Sequence, residues 1–423
     1  MNFSSLRYAL RGLSAYRTLL DDENESILDY ATTVLYTLAN GQKEQDEEER
    51  AEWGENALSA YACLFQALCD GGFSGIGDWL WDKLRYTETP FALSAQSDGA
   101  SPALEQAARR DVDALLALAG LDCGAILTAI AALLPPEQTS MVEAMPRWVS
   151  SAPFDFDRLV QFYRDHGAGL YARYRAFLWE DGQLIPVADP DCPKPEDLLG
   201  YEQQRSQVET NTRQMMAGHY ANNVLLFGDG GTGKSATVKS MLYLPGMEDL
   251  RLIEIQKENL TGLPQLMRSL RDKRQKFILF IDDLAFDQDD KTYSSMKTIL
   301  EGSLEKRPAN VVIYATSNRR HLIKETWNDR DDMETDNGMH RSDTMQEKLS
   351  LVARFGVTIY YGKPTPKEFF TIVKELRKRY PEITMSDEEL CAEANKWELS
   401  HGGVSGRTAQ QFINYIAGKS AEK

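Results

Sequence analysis

The stretch NVLLFGDGGTGKSATVKSML, residues 223–242, decides the fold of this 423-residue chain. It leads from a short apolar run through a glycine-rich turn into a sequence of helical pattern. Glycine adopts the positive φ angles that a tight turn requires, so the stretch predicts a buried strand, a turn and a helix in direct succession. Strands that alternate with helices in this way are typical of a parallel sheet covered by helices.

The turn matches the pattern GxxxxGK[ST] completely, and its position between strand and helix is the context that a phosphate-binding loop requires. Its backbone N–H groups and the following helix end attract phosphate oxygens. Lys234 is expected to neutralise the β- and γ-phosphates, and the Ser235 hydroxyl to bind Mg²⁺. We therefore predict ATP and Mg²⁺ as cofactors, with the nucleotide held by Gly228, Asp229, Gly230, Gly231, Thr232, Gly233, Lys234, Ser235 and Ala236.

A second apolar run, FILFIDD at residues 277–283, ends in two carboxylates. Ligands bind at the carboxyl ends of strands in open α/β sheets. Asp282 is expected to hold Mg²⁺, and Asp283 to orient or deprotonate the attacking water. Acidic residues also favour turns, so the pair is weak evidence by itself. The pair is stronger evidence because it follows the glycine-rich turn in the chain.

The rest of the chain predicts three regions. Residues 1–190 carry apolar residues at helical spacing and are expected to form a mostly helical domain, with a short hairpin within 171–188. Three prolines at 190, 193 and 195 mark a linker. Residues 191–364 alternate apolar runs with helical patterns and predict a five-stranded parallel sheet, and residues 365–423 predict a helical lid.

The charge is unevenly distributed along the chain. The net charge is −17, and residues 1–200 hold roughly twice as many acidic as basic residues, whereas residues 201–423 are nearly balanced. An acidic half repels a phosphate backbone, so the composition disfavours nucleic acid as a partner, without excluding it, and favours a protein. The alternative is that the acidity only confers solubility.

Targeting and cysteine patterns predict a cytoplasmic protein. The five cysteines are scattered and suggest neither a zinc site nor a disulfide framework. The first residues lack the pattern of a signal peptide. The apolar stretch 114–134 is long enough to span a bilayer, but Asp122 between two glycines interrupts it. Two buried helices joined by a turn are the preferred interpretation, and no membrane span is predicted.

The motifs from residue 198 onward resemble those of the AAA+ superfamily of P-loop ATPases. The resemblance implies that LLGYE (198–202) packs near the adenine through Leu199, and that ATSN (315–318) is a sensor whose Asn318 contacts the γ-phosphate or the water. It implies that LSLVARFG (349–356) carries a finger, Arg354, that enters a neighbouring subunit's site. GVSGR (403–407) resembles a second sensor, with Arg407 as its arginine.

Each of these three residues has a plainer interpretation. Asn318 is also a suitable turn residue at a strand end, and Arg354 and Arg407 are also suitable surface residues. The closest resemblance is to an uncharacterised bacterial family of AAA+ ATP-binding proteins, which implies no substrate. The core also resembles replication-initiator and helicase-loader ATPases in the style of its motifs.

Two departures from the superfamily pattern affect the expected mechanism. Asp283 stands where glutamate is commoner, and its side chain is one methylene shorter, so slow hydrolysis is expected. Residues 256–266, QKENLTGLPQL, lack the aromatic-apolar-glycine loop with which unfoldases grip peptides, which disfavours threading. The long polar stretch 324–348 is expected to be functional or mobile.

Three functions compete at this stage. The first is an ATPase that forms homo-oligomers through Arg354, acts with Lys234, Asp283, Asn318 and Arg407, and remodels or loads a protein held by the helical N-terminal domain. The second is a slow nucleotide-dependent switch or scaffold. The third is a nucleic-acid loader that uses the basic residues Arg271, Lys273, Arg274 and Lys276, which also suit a solvated helix end.

Overall fold

The computed structural model describes residues 3–19, 26–97, 99–151, 153–286, 291–301, 306–319, 322 and 351–421. The chain divides into two compact units, Met1–Arg173 and Tyr174–Lys423. The boundary predicted near residue 190 falls inside the second unit, because the hairpin before it is part of the sheet. Each unit has a hydrophobic core of its own.

The first unit is helical, as its apolar spacing predicts. Its core gathers large side chains such as Tyr16, Tyr61, Trp79 and Tyr163 from most of its helices. The buried carboxylate of Asp111 accepts hydrogen bonds from three successive N–H groups at residues 14–16. The helices are α1 Phe3–Arg11, α2 Ser26–Gly41, α3 Glu47–Asp70, α4 Ile76–Tyr86, α5 Pro90–Ala95, α6 Pro102–Ala119, α7 Cys123–Ala131, α8 Thr139–Glu143, α9 Phe156–His166 and α10 Leu170–Arg173.

The apolar stretch 114–134 forms the end of α6, a turn and α7. Asp122 is the N-cap of α7, and its carboxylate accepts the N–H of Ala125 at 2.7 Å. Leu115, Leu118 and Ile126 are buried in the core of the unit. Among the described residues no single helix has the length and apolarity of a bilayer span; α6 and α7 reach them only as a pair, bent by 67°.

The second unit is built on a seven-stranded sheet, in the order β2-β1-β4-β5-β6-β3-β7. The prediction of five strands is therefore wrong, because the predicted hairpin adds two more. Its first strand pairs in parallel with β4, so the hairpin extends the edge of the sheet. The strands are β1 Ala176–Glu180, β2 Gln183–Val187, β3 Val224–Gly228, β4 Leu250–Ile255, β5 Lys276–Ile281, β6 Val311–Ser317 and β7 Val357–Tyr361.

All neighbouring strands except β1 and β2 run parallel, so their carboxyl ends share one edge of the sheet. Strand β3 lies between β6 and β7, and β5 lies beside β6. The residues that follow β3, β5 and β6 are therefore brought together. Within the described residues, four α-helices accompany the sheet: α11 Glu202–Met216, α12 Lys234–Ser240, α13 Leu263–Leu270 and α14 Lys291–Glu301.

Three helices follow the last strand, as predicted for the lid. They are α15 Pro366–Arg377, α16 Asp387–Ser400 and α17 Gly406–Ala421. Their buried faces share a separate hydrophobic cluster, which includes Phe369, Leu390 and Phe412. Thr365 is the N-cap of α15 and Ser386 is the N-cap of α16, and each forms a capping box. The capping boxes satisfy backbone N–H groups at the two helix starts.

Candidate nucleotide site

The glycine-rich turn leaves the end of β3 in a conformation that glycine alone tolerates at its first residue. Gly228 has φ +134°, and a Cβ atom there would lie 2.1 Å from the carbonyl oxygen of Tyr361 on β7. Gly231 and Gly233 also have positive φ angles, and α12 begins at the next residue, Lys234. The strand–turn–helix arrangement predicted for a phosphate loop is therefore present.

The ammonium group of Lys234 lies at the centre of the turn. It donates to the carbonyl oxygens of Gly228 (3.1 Å) and Asp229 (2.6 Å) and to Oδ1 of Asn318 (3.0 Å). The side chain is largely buried. Burial is the main cause that lowers the pKa of Lys234 below its usual value, and the carboxylate of Asp229 opposes this effect most strongly.

A hydroxyl and a carboxylate meet beside the lysine. Ser235 Oγ donates to Oδ1 of Asp282 at 2.6 Å, and Thr316 Oγ1 donates to the same oxygen at 2.5 Å. Hard oxygen ligands suit Mg²⁺, which usually binds one or two protein groups together with substrate phosphates. Ser235 and Asp282, the two predicted ligands, thus present oxygen atoms of the kind that the ion prefers. Sequence reasoning missed Thr316, although it stands within the motif 315–318.

Asp283 is held at the same edge by the end of β6. Its main-chain N–H donates to Thr316 Oγ1 at 2.9 Å, and its Oδ1 accepts Nδ2 of Asn318 at 2.9 Å. Asp283 has φ +50°, a left-handed conformation that is uncommon for residues other than glycine but that aspartate and asparagine adopt more readily than most. Asn318 therefore bridges Lys234 and Asp283. Its side-chain amide lies between the lysine that is predicted to contact the phosphates and the aspartate that is predicted to orient the water.

The two late arginines lie in different places. Arg407 is near the start of α17, and its N–H donates to the carbonyl oxygen of Gly231 at 3.2 Å, so the lid contacts the phosphate turn. Arg354 precedes β7, whose amino end is aligned with that of β3 through Val224 and Val357. It therefore lies at the opposite edge of the sheet from its own chain's turn. Residues 349 and 350 and the polar stretch 324–348 lie outside the described residues.

Contacts that the sequence did not predict fasten the turn to the connection between β7 and the lid. The carboxylate of Asp229 accepts the N–H of Lys363 at 3.0 Å. The hydroxyl of Tyr201 donates to the carbonyl oxygen of Gly362 at 2.7 Å, and its ring stacks on that of Tyr361 with centroids 5.0 Å apart. Nothing in the local sequence pattern signals these contacts, since they join residues far apart in the chain.

The surroundings of the turn leave space for a ligand. A cavity of about 530 Å³ is lined by Phe227, Gly228, Asp229, Asn318 and Tyr360. That volume lies within the usual range for small-molecule sites. Leu199 packs against the lid cluster, on the segment before α11 that is predicted to lie near the adenine.

The parallel sheet, the phosphate turn after β3, the carboxylates after β5 and the helical lid together define the AAA+ class of P-loop folds. Residues 172–420 match a family described as "Protein of unknown function (DUF815)". The match covers more than half of the chain, and the chain belongs to this family. Its start at residue 172 agrees with the start of the second unit.

Comparison with solved structures finds a distant similarity to RuvB of Thermotoga maritima, described as a Holliday junction branch migration motor. The match has 15% identity and a TM-score of 0.34, and it covers 54% of this chain and 71% of that one. Two mutants of that protein match with 17% identity and TM-scores of 0.35 and 0.36, covering 54% and 55% of this chain and 72% and 73% of theirs. No curated protein matches the chain.

Proposed function

We propose that this chain is a Mg²⁺-dependent ATPase that forms homo-oligomers and couples its nucleotide state to the remodelling or loading of a protein partner. The observation that carries the proposal is the continuous set of contacts from Lys234 through Asn318 to Asp283, with Ser235 and Asp282 alongside. A lysine, a metal ligand pair and a carboxylate for water are the parts that phosphoryl transfer requires.

In hydrolysis, the oxygen of water bonds to the γ-phosphorus while the bond from that phosphorus to the bridging oxygen breaks. Asp283 is proposed to orient this water and to accept its proton, while Asn318 fixes the carboxylate. Lys234 and the backbone N–H groups of the turn stabilise charge on the phosphates. Bound Mg²⁺ supplies further neutralisation of that charge at Ser235 and Asp282.

The position of Arg354 supports a site shared between chains. Five residues of β7 separate the amino edge of the sheet from the carboxyl edge, a rise of roughly 16 Å. Arg354 is thus too far to reach the phosphates of its own chain, and its proposed place of action is the site of a neighbouring chain. An arginine that enters from another subunit stabilises transition-state charge strongly.

The first unit is the proposed docking module for the protein partner. It is acidic and helical, and it has its own core, so it needs no residue of the ATPase unit to complete a hydrophobic interior. Acidic surfaces attract basic protein segments and repel nucleic acid.

ATP turnover measured against protein concentration tests the proposal. Turnover per chain should rise with concentration, since assembly completes the site. Arg354→Ala should bind ATP yet hydrolyse it at least about a thousandfold more slowly. Lys234→Ala should fail to bind, and Lys367→Ala, which changes an exposed lysine on the lid, serves as the matched control. Turnover independent of concentration and unaffected by Arg354→Ala would refute the shared site.

A slow switch is the second candidate, and the side chain of Asp283 favours it. An aspartate reaches less far than the glutamate commoner at this position, and this one is also engaged by Asn318. Tight ATP binding with negligible turnover at every protein concentration would select this candidate.

The nucleic-acid candidate gains little from the structure. Arg274 forms an ion pair with Asp249 at 3.0 Å, and Arg271 donates to the carbonyl oxygen of Lys306 at 3.3 Å. This basic group precedes β5 and so lies at the amino edge of the sheet, away from the phosphate turn. Retention on DNA that weakens steeply with added salt would restore this candidate.

A further inference from the structure

Asp229, the second residue of the phosphate turn, contacts two parts of the ATPase unit at once. Its N–H donates to the carbonyl oxygen of Tyr361 at 2.9 Å. Its carboxylate accepts the N–H of Lys363 at 3.0 Å, across 134 residues of sequence. Residues 361–363 lead directly into Thr365, the N-cap of the first lid helix. Asp229 therefore joins the turn to the start of the lid.

Neighbouring contacts hold the same connection in place. Tyr201 donates to the carbonyl oxygen of Gly362, and the hydroxyl of Tyr361 donates to Oγ1 of Thr237 on α12 at 3.1 Å. These contacts come from α12 and from the segment before α11. The contact made by Asp229 comes from the phosphate turn itself. A change in what the turn binds can therefore act on this contact directly.

The other end of the lid also contacts the turn. The N–H of Arg407 donates to the carbonyl oxygen of Gly231, and a Cβ at Gly231 would lie 3.0 Å from Oγ of Ser405. The turn therefore lies against both the first connection and the last helix of the lid. A shift of the turn at Asp229 would act on the lid at one end while Gly231 holds the other.

Lys234 supplies a physical link between a phosphate and Asp229. An ammonium group has three protons, and here it has three acceptors: the carbonyl oxygens of Gly228 and Asp229 and the amide oxygen of Asn318. A phosphate oxygen that accepts from this ammonium must replace at least one of them. One of the three is the carbonyl oxygen of Asp229, so a phosphate that displaces it changes the hydrogen bonding of the residue that holds the lid connection.

We propose that Asp229 is a positioning residue that fastens the lid to the phosphate turn and transmits nucleotide occupancy from Lys234 to the lid helices. The fastening stands on the geometry alone. The transmission rests on the proposed function, because it requires the site to bind ATP.

Hydrogen exchange of the full chain without nucleotide tests the fastening. The Lys363 amide should exchange about tenfold faster in Asp229→Ala than in the wild type, because its acceptor is lost. Asp229→Asn retains an acceptor oxygen and should restore slow exchange. If Asp229→Ala loses its circular dichroism signal, Asp229→Ser, which is too short for this contact, is used instead. Equal exchange of the Lys363 amide in the wild type and the folded Ala or Ser variant would overturn the proposal.

The same measurement with MgATP tests the transmission. In the wild type, saturating MgATP should slow exchange in α15. Because Asp229 belongs to the phosphate turn, the MgATP concentration is raised for Asp229→Ala until displacement of a fluorescent analogue shows that the site is filled, and the slowing should then be lost. The matched control is Asp197→Ala, which removes a carboxylate 3.3 Å from Arg379 just beyond α15 without touching the turn; it should keep the slowing. Slowing that persists in Asp229→Ala would overturn the transmission. Absence of ATP binding in the wild type would overturn it together with the proposed function, while the Lys363 amide still decides the fastening.

Discussion

At the scale of single residues, the site depends on a few side chains that each make two contacts. Asn318 joins Lys234 to Asp283, and Thr316 joins Asp282 to the backbone of Asp283. The sequence predicts Lys234 from the GxxxxGK[ST] pattern of the turn, and Asp282 and Asp283 from their position at the end of a buried strand. It does not predict the bridging contacts, since hydrogen bonds between β5 and β6 have no local signature.

Asp283→Asn should lower ATP turnover at least about a hundredfold while ATP binding is retained. Asparagine tolerates the left-handed backbone of this position and fills the same space, so the fold should be preserved, but it cannot accept the proton of water. Steady-state turnover and fluorescent-nucleotide binding measure the two effects. Asp272→Asn, an exposed change beyond α13, is the control, and unchanged turnover in Asp283→Asn would remove this residue from the chemistry.

Gly228→Ala should lower the free energy of unfolding of the second unit by at least about 2 kcal/mol. The new Cβ meets the Tyr361 carbonyl oxygen, and φ is +134°. Gly230→Ala is the matched control, because nothing lies within 4 Å of its added Cβ. Urea titration followed by circular dichroism compares the two variants. Equal midpoints would mean that the backbone at Gly228 relaxes freely.

At the scale of elements, the sequence predicts β3, β4, β5, β6 and β7 as apolar runs, and the structure confirms them. The sheet membership of β1 and β2 was missed. A hairpin signal at Asp181 and Gly182 reports the antiparallel pairing of the two strands with each other. The pairing that adds them to the sheet is between Ala176 and Leu252, which are distant in sequence, so no local pattern indicates it.

Asp122→Ala should destabilise the helical unit by about 1 kcal/mol, because α7 loses the side chain that caps Ala125. Thermal unfolding monitored by circular dichroism measures the change. Asp113→Ala replaces an exposed carboxylate on α6 and should be nearly neutral. If the two variants unfold alike, the cap contributes nothing to the stability of the α6–α7 turn.

At the scale of the whole molecule, the chain combines an acidic helical unit with a P-loop unit of the AAA+ fold class, and each has a separate core. The sequence predicts a helical unit followed by a unit of strands and helices, because apolar residues at helical spacing are followed by alternating strand and helix patterns. It places the boundary at a proline-rich linker, whereas the structure places it between Arg173 and Tyr174. The prolines follow the hairpin that joins the sheet, so they mark a connection within the second unit.

Calorimetry of the full chain should show two unfolding transitions. MgATP should raise the midpoint temperature of only one of them. Ligand at a hundred times its dissociation constant stabilises the state that binds it by about 2.7 kcal/mol. The helical unit contains none of the residues proposed to bind the nucleotide, so the midpoint temperature of its transition should not change. Lys234→Ala is the control, and the transition temperature of its second unit should not respond to MgATP. Equal upward shifts of both transitions in the wild type would show that the units unfold together.

The position of β3 in the sheet has a consequence for the order in which the protein matures during synthesis. Its two neighbours are β6 and β7, and Asp229 meets Lys363 only after the ribosome has added 134 further residues. The helical unit emerges earlier from the ribosome, and the contacts that make it compact lie within residues 1–173. A nascent chain halted before residue 357 therefore carries a finished first unit and a β3 that still lacks one of its neighbours. Pairings of such long range also slow folding, so the nucleotide site is among the last parts of the molecule to form.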